Sequence, residues 1–395
     1  MGVVTSTVSP VVSGTVLSTL LGAGFLPLSL FANDEAGVWY DPSDLSSLFQ
    51  DAAGTTPVTA AGQPVGLMLD KSQGLVRGPE LVTNGDFATD SDWTKGTNWT
   101  IDGGVITSDG STSGAASALE QYDVFTAGSL YEVSFEISNY SSGNIKFSRH
   151  TTWTPNLAAN GIYTYNMRAT TDRASFRSDS AFTGDVDNVS VREITGNHAT
   201  QATASKRPTY TEGSGLAWLA FDGVDDFLEF TQVISGTGPR SFIAATNQDD
   251  YGSVNNALFA LQSSLDYRVG GDWTLLLEDD FAYLRVNGNS SFNYTGGTTP
   301  SAASVSSWRW SSARGASSSY TNVRLNAVEL TLNGGSPQDI NTVNTETSYI
   351  GSSPQQNNSF FAGKYFGMVL IGEDLSDAST RQAEAYLAAK SGVVL

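Results

Sequence analysis

The chain is broken in the middle of a phrase. Gly196, Asn197, His198, Ala199 and Thr200, running on to Thr203, read as the direct continuation of Leu69-Asp70-Lys71-Ser72-Gln73-Gly74, more than a hundred residues upstream. Joined, the two pieces give LDKS–GNHATQATASKRPTY, and LAFDGVDDFLEF follows from Leu219 to Phe230. Such continuity implies one domain carrying another inside it. The expected map is an N-terminal docking or oligomerisation segment at 1–35, a discontinuous body made of 36–77 and 195–395, and an inserted domain at 78–194. A host loop accepts an insertion at little loop-closure cost when the guest's termini lie close together.

Both domains read as β-structure. Gly, Ser, Thr and Asn are abundant, strong helix formers are scarce, and aromatics reach 11%, a mixture that favours short strands and turns. In the insert, Tyr131-Glu132-Val133-Ser134-Phe135-Glu136-Ile137 alternates with period two, the pattern of a half-buried strand. Further strands are expected at 144–148, 162–167, 174–176 and 185–191, a spacing that suggests a sandwich. In the body they are expected at 216–221, 227–232, 241–245, 257–261, 273–278, 281–286, 323–332 and 364–371. Ser301 to Ser319, rich in Ser, Ala, Trp and Arg, reads as a long loop. One helix is expected, over Arg381 to Lys390, with Ser376 or Asp377 as N-cap and Gly392 at the C′ position. The fold class is therefore all-β: two β-sandwich (jelly-roll) domains, one inserted in the other, with an N-terminal arm and a short C-terminal helix.

Charge and cysteine usage narrow the function. Asp and Glu number 40 against 20 Lys and Arg, a formal net charge of −20. That argues against nucleic acid as a partner, which needs clustered Lys and Arg to displace counterions. Cysteine is absent, which removes disulfides, thiolate metal sites and thiol nucleophiles and fits assembly in a reducing cytoplasm. Val16 to Ala32 is apolar, yet the first basic residue of the chain is Lys71. A signal peptide would carry a positive n-region, and Pro27 and two glycines interrupt a run marginal in length for a membrane span. The segment is expected to be a buried contact with other proteins rather than a membrane anchor.

Three stretches resemble known families. LAFDGVDDFLEF looks like the opening strand pair of laminin-G-like, concanavalin A-like jelly rolls, and YFGMVLIGEDLSDASTRQAEAYLAAKSGV resembles the last core strand and terminal helix of the same family. The block 78–194 resembles galactose-binding-type jelly rolls of the carbohydrate-binding-module kind, on LVTNGDF at its start, Gly128-Ser129-Leu130-Tyr131 before a strand, and VDNVSV at its end. That resemblance implies a structural calcium, with Asp86 and Asp187 as its acidic candidates. Without the ion, Asp86 closes a turn after Asn84-Gly85, and Asp187 caps a strand. The whole layout resembles tailed-phage virion surface proteins. It implies a virion component assembled in the host cytoplasm, docked to other virion proteins through 1–35 and homo-oligomeric, a trimer by the habit of such appendages.

No catalytic spacing is present. Concanavalin-like glucanases place paired acids on one strand face as nucleophile and acid. Asp222, Asp225, Asp226 and Glu229 fall in a turn and strand with the wrong alternation, and Glu278, Asp279 and Asp280 read as a hairpin turn. His150 and His198, in different domains, make no zinc site alone; His198 is expected to bond to backbone in a loop. No nucleophile elbow, phosphate loop or dinucleotide fingerprint appears. Aromatics are the better lead, because a ring face under a pyranose, with polar neighbours, is a common mode of sugar binding. The candidates are Trp93, Trp99, Tyr122, Trp153 and Tyr163 in the insert, and Trp308 and Trp310 flanking Arg309 in the Ser-rich stretch. For each tryptophan the competing role is core packing. The expectation is a non-enzymatic virion surface protein, without organic cofactor, that adheres to a host-surface glycan. The alternative is a purely structural capsid decoration protein, and a glycan depolymerase is the remote third.

Overall fold

A computed structural model describes residues 24–148, 154–231, 233–234, 239–248, 256–261, 273–278, 281–286, 290–295, 303–311, 320–332, 347–353 and 359–395. Strands dominate it, and Asp377–Ser391 is the one α-helix among the described residues.

Two large antiparallel sheets form the layers of the body. One runs in the order Thr209–Gly213, Leu216–Asp222, Ala362–Ile371, Arg240–Gln248, Ser304–Ser311, Tyr320–Leu325, Val328–Glu329, with Gly37–Tyr40 also paired to Ala362–Ile371. The other contains Leu67–Met68, Ala199–Thr200, Leu228–Thr231, Thr347–Ile350 and Asn256–Leu261 as consecutive neighbours. Thus Leu67 lies opposite Thr200, and Val38 opposite Leu370: the residues before the insert pair with the residues after it.

The first sheet is covered on both faces, which explains why Tyr365–Ile371 reads as a nearly unbroken apolar run. Val38, Tyr40, Phe242, Ala244, Met368 and Leu370 face the second sheet and pack with Met68, Leu228, Phe230 and Ile350. Their neighbours Trp39, Ile243, Ala245, Val369 and Ile371 face the other way, onto Ala383, Tyr386, Leu387 and Ala388 of the helix. Period-two alternation thus feeds two cores from one strand. The helix begins where its cap dictates: Ser376 Oγ accepts the N–H of Ser379 at 3.1 Å. It ends at Gly392, whose φ of +74° suits glycine. The short 3-10 turn Pro27–Phe31 joins the same layer through Phe31, 7% exposed.

Ser304–Ser311 corrects the sequence reading of a loop. It is a strand inside the first sheet, between Arg240–Gln248 and Tyr320–Leu325. Ser307 finds its partner under the helix, where its Oγ donates to Glu384 at 2.6 Å. On the opposite face Trp308 fills the inter-sheet core.

The insert is organised by two long strands, Leu130–Ser148 and Ala174–Glu193, antiparallel from Ser175 opposite Ser148 to Glu193 opposite Tyr131, with several register shifts. The segments expected as separate strands at 131–137 and 144–148 are one bent strand. Gly161–Arg168 flanks it, while Leu119–Gln121 and Val105–Asp109 flank the other long strand. Phe87, Trp93, Trp99, Phe135, Phe147, Phe176 and Phe182 fill a core of its own. The two end motifs of this domain meet. The N–H of Val189 donates to Gly85 O at 2.9 Å, and the N–H of Leu81 donates to Val191 O at 3.0 Å. A Cβ on Gly85 would stand 2.0 Å from Val189 O, so the glycine of LVTNGDF is required by the approach of VDNVSV.

Candidate functional site

Tyr122 has a broadly exposed ring, 51% exposed. It follows Leu119–Gln121 and lies beside Arg173, which precedes Ala174–Glu193. The Arg173 guanidinium stands 5.4 Å from the centre of the Tyr122 ring. Arg173 Nη1 donates to Glu120 Oε2 at 3.2 Å, and the Tyr122 hydroxyl donates to the same oxygen at 3.0 Å. Ser175 Oγ donates to the other Glu120 oxygen at 3.3 Å. The tyrosine hydroxyl first, and then Glu120, hold the guanidinium in its charged form more firmly than usual.

The surroundings fix this group. Val124 and Phe125 are buried, and both of their N–H groups donate to Asp172 O, at 2.7 and 2.9 Å. Gln121 accepts from Thr83 N at 2.9 Å and donates to Thr83 O at 2.8 Å. A ring, a cation and a carboxylate are therefore presented together from a braced strand end. Such a group can offer an apolar face with directional donors and acceptors beside it, which is what a pyranose requires.

The other candidates are placed differently. Trp93 is 7% exposed and Trp99 5%. Both belong to the insert's core, with indole N–H groups donating to Asn84 O and Ser117 O; these two are corrected to packing residues. Trp308, 1% exposed, is likewise core rather than an exposed cluster. A ring closed in this way cannot receive a sugar. Trp310 lies in the same strand, opposite Arg240 and Thr321. Tyr163 is half-buried, stacked on Phe135 at 5.8 Å, and its hydroxyl donates to Ala159 O. Trp153 and His150 lie outside the described residues. Sequence reasoning missed Arg173 and Glu120, because neither stands out until pairing brings residues 53 apart together.

The two calcium candidates stand in the two end motifs that pair through Gly85 and Val189. Burial first, then the charges of Glu136 and Asp86, push the Asp187 carboxyl up. Asp187 accepts its neighbour Asn188 N at 2.6 Å, and Asp86 accepts Ala88 N at 3.3 Å. These are hard oxygen donors of the kind calcium takes. Among the described residues, however, the one group of three or more such side chains with ligand atoms within 4.8 Å of one another is Asp222, Asp225 and Asp226. That trio closes a turn: Asp222 Oδ1 accepts from Val224 N, Asp225 N and Asp226 N. Burial and the neighbouring Asp222 raise the Asp226 carboxyl to about 6. Glu278 ends its strand opposite Phe281, and Asp279 and Asp280 lie outside the described residues.

No family model and no curated protein matches the sequence. Among solved structures, NanB with Optactamide shares 10% identity over 41% of this chain, at a TM-score of 0.31. Trypanosoma rangeli sialidase with 2,3-difluorosialic acid shares 11% over 51%, at 0.31. A putative carbohydrate binding protein from Bacteroides ovatus shares 12%, covering 67% of this chain and 78% of its own, at 0.29. The match spans 26% of the NanB chain and 32% of the sialidase.

Proposed function

We propose that this chain is a non-enzymatic adhesin of a virion surface that recognises a host glycan with its inserted domain. The observation that carries the reading is the braced, exposed group of Tyr122, Arg173 and Glu120. Ring and guanidinium offer a stacking face and donors, and the Glu120 carboxylate is an acceptor for sugar hydroxyls. Such fixed groups bind with little ordering penalty. The placement on a virion rests on the sequence: the resemblance of the layout, the acidic and cysteine-free composition, and the apolar N-terminal segment, in which Phe31 packs on the body. In this reading 1–35 docks the protein to other virion proteins as a homo-oligomer, and calcium, where bound, sits at Asp86 and Asp187.

The test is a glycan array and a whole-cell binding assay with the full chain. Binding to a defined set of bacterial surface glycans, without release of reducing sugar, is expected. A chain that binds no glycan and no cell surface overturns the reading.

A further inference from the structure

The joint between insert and body contains a cleft of about 310 Å³. The insert contributes Arg168 and Glu193 to its walls, and the body contributes Asn197, Glu229, Phe230 and Thr231. We propose that this cleft binds a single sugar unit through its hydroxyls, as a second glycan site distinct from the Tyr122 face.

The walls are held in place before any ligand arrives. Phe49, Leu67 and Leu69 of the body pack with Leu130 and Ile194 of the insert in one buried cluster. The backbone N–H of Arg168 donates to Ala53 O at 3.0 Å, which ties the insert's strand to the body. Arg168 Nη1 donates to Gly128 O. A cleft at a junction that is itself a core does not have to be assembled by closure, and domain junctions are favoured places for ligand sites.

The lining is polar and incompletely used. Arg168 Nη2 is shut from solvent and has no hydrogen-bond partner. Its Nε and Nη1 are spent on Ala52 O and Gly128 O, so the guanidinium serves as a fixed, positively charged wall of the cleft. Glu229 has no hydrogen-bond partner for its carboxylate among the described residues, and burial pushes that carboxyl up. His198 is not available, since Asp70 N donates to its Nδ1 and its Nε2 bonds Ile194 O. Glu193 and Glu229 offer carboxylate acceptors for the hydroxyls of a neutral polyol, and two glutamates against one arginine disfavour an acidic sugar. The volume suits one ring rather than a chain.

The proposal rests on the glycan-binding reading of the chain but not on Tyr122. Saturation-transfer NMR on the full chain, with galactose, glucose, N-acetylglucosamine and rhamnose as probes, tests it. At least one sugar is expected to bind, with affinity falling tenfold or more in Glu229→Gln and in Arg168→Lys and unchanged in Tyr122→Ala. Glu229→Gln keeps the side chain's shape, and an unchanged melting temperature confirms its fold. Binding lost only in Tyr122→Ala preserves the Tyr122 reading and overturns this one. Binding that survives Glu229→Gln at full strength also overturns it, and a chain that binds none of the probes does so as well.

Discussion

The Asp70 carboxylate accepts the backbone N–H of Asn197 at 2.9 Å, across 127 residues of sequence. The same carboxylate accepts Trp39 N and Ser72 N, each at 2.9 Å. Asp70 N in turn donates to His198 Nδ1 at 3.0 Å. The two ends of the interrupted phrase are tied by one buried acid, and the insert leaves and re-enters the body beside it.

Replacing Asp70 should loosen this joint. Asp70→Ala strands three backbone N–H groups in a buried place, and unsatisfied donors cost about 1–3 kcal/mol each. A loss of about 3–5 kcal/mol in the body's unfolding transition is expected, measured by urea denaturation. Asp70→Asn, which keeps an acceptor, should lose less. A Tm for Asp70→Ala equal to that of the unmodified protein would show that the knot is not what closes the joint.

His198 gives the joint a pH signature. Burial, chiefly, depresses its pKa to about 4 from the usual 6.5. The unfolded chain therefore takes up a proton at a higher pH than the folded one. The stability in question is fully present above about pH 6.5 and is lost as pH falls towards 4, by about 3 kcal/mol through linkage. Asp70 and Asp226, raised by burial, act in the opposite sense, so the comparison must be with a variant. His198→Asn keeps an acceptor for Asp70 N and lacks the titration. Its stability, followed by denaturation from pH 7 to pH 4, should fall less steeply; parallel curves would sink the assignment.

Much of this architecture was readable in the sequence, and the failures share a cause. The hairpin strands at 273–278 and 281–286 and the terminal helix were visible because alternation, Ser376 and Gly392 are local signals. Ser304–Ser311 was not, because its Ser307 is satisfied by Glu384, 77 residues further on. Trp93 and Trp99 could not be told from ligand platforms, since a core indole and an exposed one look alike in a turn-rich stretch. Tyr122 was visible as a ring, but its cation and carboxylate depend on strand pairing.

The terminal helix should depend on Glu384. This buried carboxylate, 1% exposed, accepts from Ser307 Oγ at 2.6 Å and from Arg324 Nε at 2.8 Å. Removing one partner of a buried pair leaves the other uncompensated, typically at about 3–5 kcal/mol. Glu384→Ala is expected to lower stability on that scale and to expose the helix to proteolysis before the rest of the body. Proteolysis at the same rate as the unmodified protein would contradict this.

Gly85→Ala should act on the insert alone. The added methyl would meet Val189 O at 2.0 Å, so the two motif ends must separate, at about 1–3 kcal/mol for overpacking. Calorimetry of the full chain should show the insert's transition lowered and the body's transition in place. A shift of both together would mean that the two domains unfold as one unit.

The most direct test of the central claim compares the unmodified protein with Tyr122→Ala on the glycan or cell surface it binds. The account predicts at least a tenfold loss of affinity, about 1.4 kcal/mol, with an unchanged melting temperature, because the Tyr122 ring is exposed and belongs to neither core. Full-strength binding by Tyr122→Ala would contradict it.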